Sequence, residues 1–357
     1  ETDLLADEAI RWIKDRDKSK PFFLYMPFIA PHSPLEAPNE LINKYKDLKD
    51  ERKLTRSISI DRLRKLNPQR KSSRPTYAAV VDALDQAIGR VLKTLKEEQL
   101  SQETIILFSS DNGGSAYAGG GADNFPLRGG KGDTYEGGIR VIAAMKWEGI
   151  IKSGTTLEQI MTVMDIFPTL SNAAGVEMQN KKEISGRNMW PSISLGEKIN
   201  LKEDIFFASE TPNYGEFHTT VFNEDWKLVQ VITSSLLEIK VENKLFNINE
   251  DPNEYNNVAR QHPNLVKILA EKVRRWRALH PISGVRSQLV PPPGWRAPKD
   301  WTSYTIPISE LQDDASLGFG VHSHQILDFL IKDHGRIIYD CDPQDWEVGN
   351  CSPVKSN

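Results

Sequence analysis

Leu4, Leu5, Ala9, Ile10 and Ile13 in the opening stretch ETDLLADEAIRWIKDR recur at the three-to-four spacing that lines one side of a helix. Pro21 ends that pattern, and PFFLYMPF follows as a short, continuously apolar run. Such a run predicts a buried strand with both faces covered. Helical periodicity returns in TYAAVVDALDQAIGRVLKTLKEE, where Val81, Leu84, Ile88, Val91, Leu92 and Leu95 form one predicted buried stripe. TIILFSSDN and GIRVIAAMKW read as two further buried strands, and Ile160 to Ala174 as a helix closed by Gly175. Helices alternating with apolar strands predict an α/β layered sandwich with a mostly parallel sheet.

Near residue 200 the pattern changes. DIFFAS, FHTTVF, WKLVQVI and NKLFNI are short alternating segments separated by turn residues, which predicts an antiparallel meander. NLVKILAEKVRRWRALH is a final amphipathic helix, capped by Asn264 or by the turn before it. VPPPGWRAPKDW is a stiff, extended connector. The domain reading is therefore an α/β portion over 1–200, a smaller α+β domain with an antiparallel sheet over 201–300, and an extended tail over 301–357. No internal repeat and no low-complexity tract interrupts it.

Apolar residues make up 39% of the 357 and charged residues 26%, enough apolar material for a sizeable core. A net charge of −4 and a pI near 6.1 exclude bulk attraction of nucleic acid or another polyanion. An anionic ligand has to be met by local donors. No apolar run is long enough to span a membrane. Cys341 and Cys351 lie close together near the end of the sequence, as a local disulfide or as two thiols.

Ligands of parallel α/β sheets gather at the carboxyl ends of strands, and polar clusters stand at such ends here. Ala30-Pro31-His32-Ser33-Pro34 follows the first predicted strand, and Asp111-Asn112-Gly113-Gly114 follows the second. Arg128-Gly129-Gly130-Lys131-Gly132 lies in the long glycine-rich loop before the third. Asp111 and Asn112 offer a carboxylate and an amide oxygen, hard donors suited to Ca²⁺ or Mg²⁺; the same four residues are also a good turn sequence. Lys131, among glycines that let backbone approach a ligand, can place its charge on a phosphate or sulfate oxygen. His32, between two prolines, can donate to an anionic oxygen or protonate a leaving group. Taken singly, a loop lysine and a structural histidine account for the last two equally well.

Taken together and in order, PFFLYMPFIAPHSPLEAP, SSDNGG, PLRGGKGDTYEGGIRV, VMDIFPTLSNAAGV and LFNINEDPNEYNNVA resemble the sulfatase family of the alkaline-phosphatase-like superfamily. The resemblance covers about residues 1–300, and the detail around PLRGGKGDTYEGGIRV and PPPGWRAPKDW is most like the arylsulfatase B, or N-acetylgalactosamine-4-sulfatase, group. It implies that Asp111 and Asn112 match a pair of calcium ligands. It implies that Lys131 matches the lysine holding a sulfate oxygen, and His32 the histidine at the sulfate or the departing oxygen. The implied substrates are sulfated carbohydrates or aryl sulfates, the implied metal Ca²⁺ with Mg²⁺ as alternative, and the implied setting secreted or lysosomal. Tyr117, Asp123, Asn124, Tyr135, Glu136 and His218 are candidates for the pocket wall, with ordinary loop packing as the alternative for each.

The family's nucleophile is a formylglycine made in a C/S-x-P-x-R motif of its N-terminal third, where the first pair of acidic calcium ligands also lies. Cys341-Asp342-Pro343-Gln344-Asp345 has an acid at the arginine position, and Cys351-Ser352-Pro353-Val354-Lys355 leaves no room for the helix that should follow. Neither supplies the motif. The chain is thus expected to be the C-terminal portion of a sulfatase, to need an N-terminal segment for a complete core, and to be inactive alone. Two other readings keep the fold: a phosphate or phosphonate ester hydrolase, and a non-catalytic anion-binding protein.

Overall fold

The structure, a computed structural model, describes residues 1–50, 74–115, 121–177, 184–199, 203–211, 216–223, 225–234 and 239–279. Tyr117, both cysteines, the proline-rich connector and the 301–357 tail lie outside them. The described residues fall into two compact units. One holds everything up to Asn124 and the stretch from Arg140 to residue 199; the other holds Phe125–Ile139 and the residues from Glu203 onward.

In the first unit, helix α1 (Thr2–Asp15) packs on helix α3 (Arg74–Glu97). A short helix, α2 (Asn39–Tyr45), also lies against α3, where Lys44 and the Tyr45 hydroxyl both bond Asp82. Ala6, Ala9 and Ile13 meet Ala87, Val91, Leu95 and Leu100 in one apolar cluster. Small alanines at the contact let the two helix backbones approach, and Arg90 of α3 ties the rim to Asp3 and Asp7. The buried stripe of α3 is Ala79, Val80, Leu84, Ala87, Val91, Thr94 and Leu95. Val81 and Leu92, expected inside, are 40% and 38% exposed. The helix is turned so that alanine and threonine face its neighbour, a choice that apolar periodicity does not register.

Residues 21–29 are extended without ladder pairing among the described residues. Phe22, Leu24, Met26 and Phe28 pack on the helix cluster, while Phe23 and Tyr25 on the opposite side are 81% and 75% exposed. This corrects the expectation of two covered faces: successive side chains leave opposite sides of an extended chain, and here one side alone is packed. Strands β1 (Ile106–Ser109) and β2 (Ala143–Lys146) pair antiparallel, with Ile106 opposite Lys146. A parallel arrangement would require a crossover element between them. The described residues between Ser110 and Ile142 instead contain one helical turn, α4 (Glu136–Ile139). No parallel ladder occurs among the described residues.

A 3₁₀ turn (Val163–Asp165) runs into α5 (Ile166–Ala173), so the helix expected from Ile160 begins later than the sequence suggested. Asp165 is buried at this junction. Its Oδ2 accepts from Thr162 N at 2.8 Å and Arg187 Nη2 at 2.7 Å, and its Oδ1 from Arg187 N at 2.6 Å. Met189 N donates to Thr169 Oγ1, tying the start of α6 (Trp190–Leu195) to α5.

In the second unit, β3 (Ile205–Thr211), β4 (Glu216–Asn223), β5 (Trp226–Ser234) and β6 (Ile239–Asn247) form the expected antiparallel meander in sequence order. Helix α7 (Pro263–Arg277) packs Leu269, Ala270 and Val273 on Val221, Leu228 and Leu245 of one sheet face. Each large apolar side chain so buried contributes about 1.5–3 kcal/mol. The preceding turn starts α7: His262 is the N-cap, and Pro263 at N1 needs no amide partner, so Asn264 is not the cap.

Candidate functional site

The other face of the meander carries Ser209, His218, Thr220, Lys227, Val229, Val231, Lys244 and Phe246, placed there by the ladder register. Polar residues at alternate positions would ordinarily mark a solvent face. Here His218, Thr220, Lys227 and Lys244 are buried and Ser209 is half-buried, because the loop 125–139 lies over them. Ser209 Oγ donates to Gly132 O at 2.6 Å, and the Thr220 and Thr134 hydroxyls are 2.7 Å apart. Lys244 Nζ donates to the Tyr135 hydroxyl at 3.1 Å, and Tyr135 packs with Val229, Val231 and Phe246. Burial pushes the Tyr135 phenol well above its ordinary range, outweighing the nearby Arg128 cation, so it stays protonated.

The loop also closes on itself. Asp133 Oδ2 accepts from Gly130 N at 3.0 Å, and Gly137 N donates to Arg128 O at 2.6 Å. Gly138 fits where nothing larger would, since a Cβ there would stand 2.2 Å from Asp133 O. Lys131 sits in the bend between Gly130 and Gly132, the latter at φ +92°, a conformation that favours glycine. A half-buried lysine is thus carried on backbone held on both sides.

Three side chains complete the hold. Lys227, fully buried, lies 2.9 Å from Glu136 Oε1 and 2.8 Å from Glu254 Oε1. Glu254 Oε2 accepts from Glu136 N at 2.6 Å, and Glu254 O accepts from Arg128 Nη1 at 3.0 Å. The Arg128 guanidinium stacks over the Tyr135 ring at 4.2 Å. Burial pushes the Glu254 carboxyl up, against the pull of Lys227. Sequence reading missed Lys227 and Glu254 as a pair. Glu254 lies in LFNINEDPNEYNNVA, one of the segments that carry the family resemblance, but nothing in that segment shows what it touches.

His32, Asp111 and Asn112 belong to the first unit and Lys131 to the second. His32 and Asp111 are exposed, and each follows a segment packed on the α1–α3 cluster. His32 Nδ1 lies 2.7 Å from Ser33 O. A carbonyl only accepts, so Nδ1 carries the proton and Nε2 is the nitrogen left to take or give one. Asp111 Oδ1 accepts from Asn112 N, and Asn112 Nδ2 donates to Gly113 O at 2.9 Å. That leaves one carboxylate oxygen and the amide oxygen as donors of the hard kind calcium takes. Two such groups fit part of the roughly 6–8 oxygens around calcium, and no group of three or more His, Cys, Asp or Glu able to hold a metal occurs among the described residues.

Of the pocket-wall candidates, Tyr135, Glu136 and His218 are interior residues of the loop–sheet contact. Asn124 clasps Gly114, accepting from its N at 2.9 Å and donating to its O at 2.8 Å. Asp123 is exposed. No helix among the described residues is long and apolar enough to cross a membrane.

The Sulfatase family model matches residues 1–176, and the model for the C-terminal region of N-sulphoglucosamine sulphohydrolase matches residues 131–279. Arylsulfatase J of Mus musculus is 28% identical over 311 residues, spanning 77% of this chain and 48% of its own length. A sulfatase of Formosa agariphila is 30% identical over 303 residues, spanning 77% and 50%. The chain therefore spans about half the length of these curated relatives. Among solved structures, Ps i-CgsB in complex with k-i-k-neocarrahexaose superposes with a TM-score of 0.62 at 29% identity, covering 77% of this chain and 54% of the other. Two sulfatase family models that overlap over residues 131–176 and together span 1–279 place this chain in the sulfatase family.

Proposed function

We propose that the protein is a calcium-assisted sulfuric ester hydrolase acting on sulfated sugars. The observation that carries this reading is the loop holding Lys131: its backbone is bonded to the sheet and to itself on both sides of a lysine that the family resemblance sets on a sulfate oxygen. A cation on fixed backbone needs little reorganisation as charge develops on the sulfuryl oxygens. In this reading Asp111 and Asn112 would supply two of the calcium ligands, and the ion, when bound, would contribute charge stabilisation of the transition state. His32, with Nδ1–H held by Ser33 O, would in its imidazolium form give the Nε2 proton to the ester oxygen as the sulfur–oxygen bond breaks, so that the alcohol leaves neutral and His32 is left as the neutral imidazole. Formylglycine, the family's nucleophile, and the first acidic pair are assigned to a further part of the sulfatase domain. The hexaose complex of Ps i-CgsB supports a carbohydrate substrate.

Phe23, Tyr25 and Ile142, at 81%, 75% and 76% exposed, are read as the seat of that further part, which would complete a largely parallel sheet. The 357-residue chain by itself is then expected to turn over no aryl sulfate. A secreted or lysosomal setting fits the family.

The test is turnover of a chromogenic aryl sulfate and of a sulfated monosaccharide by the protein expressed from its full reading frame. Lys131→Ala is expected to lower kcat/KM by about 10²–10³-fold, and Asp111→Asn to raise the calcium concentration needed. Preference for a phosphate ester would transfer the same residues to a phosphoesterase. Absence of any hydrolysis with sulfate still bound would make the protein a binder.

A further inference from the structure

We infer that Glu254 is a positioning residue for Lys131, acting through the loop backbone. This rests on the sulfatase reading for what Lys131 does, but not for how it is held. Glu254 is fully buried and sits at φ +59°, a strained conformation for a residue with a side chain. Its surroundings hold it there. Asp251 accepts from Tyr255 N at 3.1 Å and Asn256 N at 2.7 Å, and Asn257 Oδ1 accepts from Leu245 N at 3.0 Å. The segment is thereby fixed to strand β6.

From this fixed base Glu254 reaches both stems of the Lys131 loop. Its backbone carbonyl takes the Arg128 guanidinium, on the stem before Lys131. Its carboxylate takes the Glu136 amide, on the stem after it. Next in sequence, the Tyr255 hydroxyl donates to Pro126 O at 2.9 Å. Lys227 bridges the Glu136 and Glu254 carboxylates, so one buried cation serves both. A lysine has a long, flexible stem, and the part of it that a protein can aim is the backbone it grows from. Glu254 aims that backbone from two directions, through Arg128 and through the Glu136 amide.

Glu254→Gln keeps the shape but gives the Glu136 amide a weaker acceptor and leaves Lys227 with one carboxylate. In the protein expressed from its full reading frame, aryl sulfate kcat/KM should fall about 10- to 100-fold, the range for residues that orient a reacting group. In a Lys131→Ala background the same substitution should cost less than about threefold, because a residue acting through Lys131 has nothing left to act on. Amide exchange at Gly130, Asp133 and Gly137 should quicken, with exchange in α7 unchanged. Equal losses in both backgrounds, or unchanged loop exchange, would overturn the inference. If Lys131→Ala keeps full turnover, the sulfate contact fails, and loop exchange alone then decides whether Glu254 positions the loop. Should Glu254→Gln not fold, E254Q/K227M removes the Glu254 anion together with its Lys227 cation and carries the same comparison.

Discussion

Replacing Asp165 by asparagine should be among the most damaging isosteric changes in the first unit. The carboxylate is 1% exposed and collects five donor contacts, three of them from Arg187. Asparagine keeps one acceptor oxygen and turns the other end into a donor. Whichever way the amide lies, at least one of Thr162 N and Arg187 N faces an N–H group. A buried donor without an acceptor costs about 1–3 kcal/mol, and losing charge-assisted bonds adds about 1.5–3 kcal/mol. The sum, on the order of 3–5 kcal/mol, matches the cost of breaking one side of a buried ion pair. Burial alone would raise the Asp165 carboxyl, but Arg187 and the Thr162 amide outweigh it and hold it below its ordinary value. An acid depressed in the folded state stabilises above its unfolded pKa of roughly 4, and that stabilisation is lost as pH falls through the folded value. Amide exchange across 160–177 and 184–195 at pH 7 and again near pH 3 measures both effects. The variant should exchange much faster at pH 7, with the gap narrowing in acid. A variant within about 1 kcal/mol of the parent would refute the geometry. A gap that does not narrow would refute the charge argument.

Gly186→Ala should prevent accumulation of folded protein or cost on the order of 4 kcal/mol, since its Cβ would stand 1.9 Å from Met164 O. Gly196→Ala, at φ +72° with nothing within 4 Å, should cost only about 1–2 kcal/mol, and paired denaturant titrations separate the two. Hydrogen bonds from Arg274 and Arg275 hold the Glu271 carboxyl at about 2, so its contribution is present above pH 4.5 and fades as pH falls towards that value. The parent and Glu271→Gln should therefore differ in the melting of α7 at pH 6 and converge near pH 2. The side chain is about a third exposed, so the difference should stay within about 1 kcal/mol and shrink in high salt.

The elements were legible where one period dominated. Helix α1, helix α7 and the four-stranded meander follow directly from apolar spacing, because each buries one continuous stripe or alternating face. The stripe of α3 was misplaced because Ala79, Ala87 and Thr94 count for little in hydrophobicity yet are what close helix packing needs. Lys227 and Lys244 were illegible as interior residues, since strand alternation assigns them to water until the loop that covers them is known. Lys131, Asp111 and Asn112 could be singled out from glycine content and ligand chemistry. The partners fixing the Lys131 loop could not, as Arg128 and Glu136 find Glu254 across 126 and 118 residues of sequence.

Those separations set an order of events during synthesis. The loop 125–139 emerges early, yet Ser209, Thr220, Lys227, Lys244 and Glu254 that shape it are translated afterwards. Contacts so distant in sequence form late, after their closure entropy has been met. A nascent chain that has released only its first strands therefore presents Lys131 on unformed backbone. The Lys131 loop gains its full set of contacts only when the ribosome has passed the DPNEYNN segment, so truncation before Glu254 should leave the loop unformed even where helices α1 and α3 have already packed.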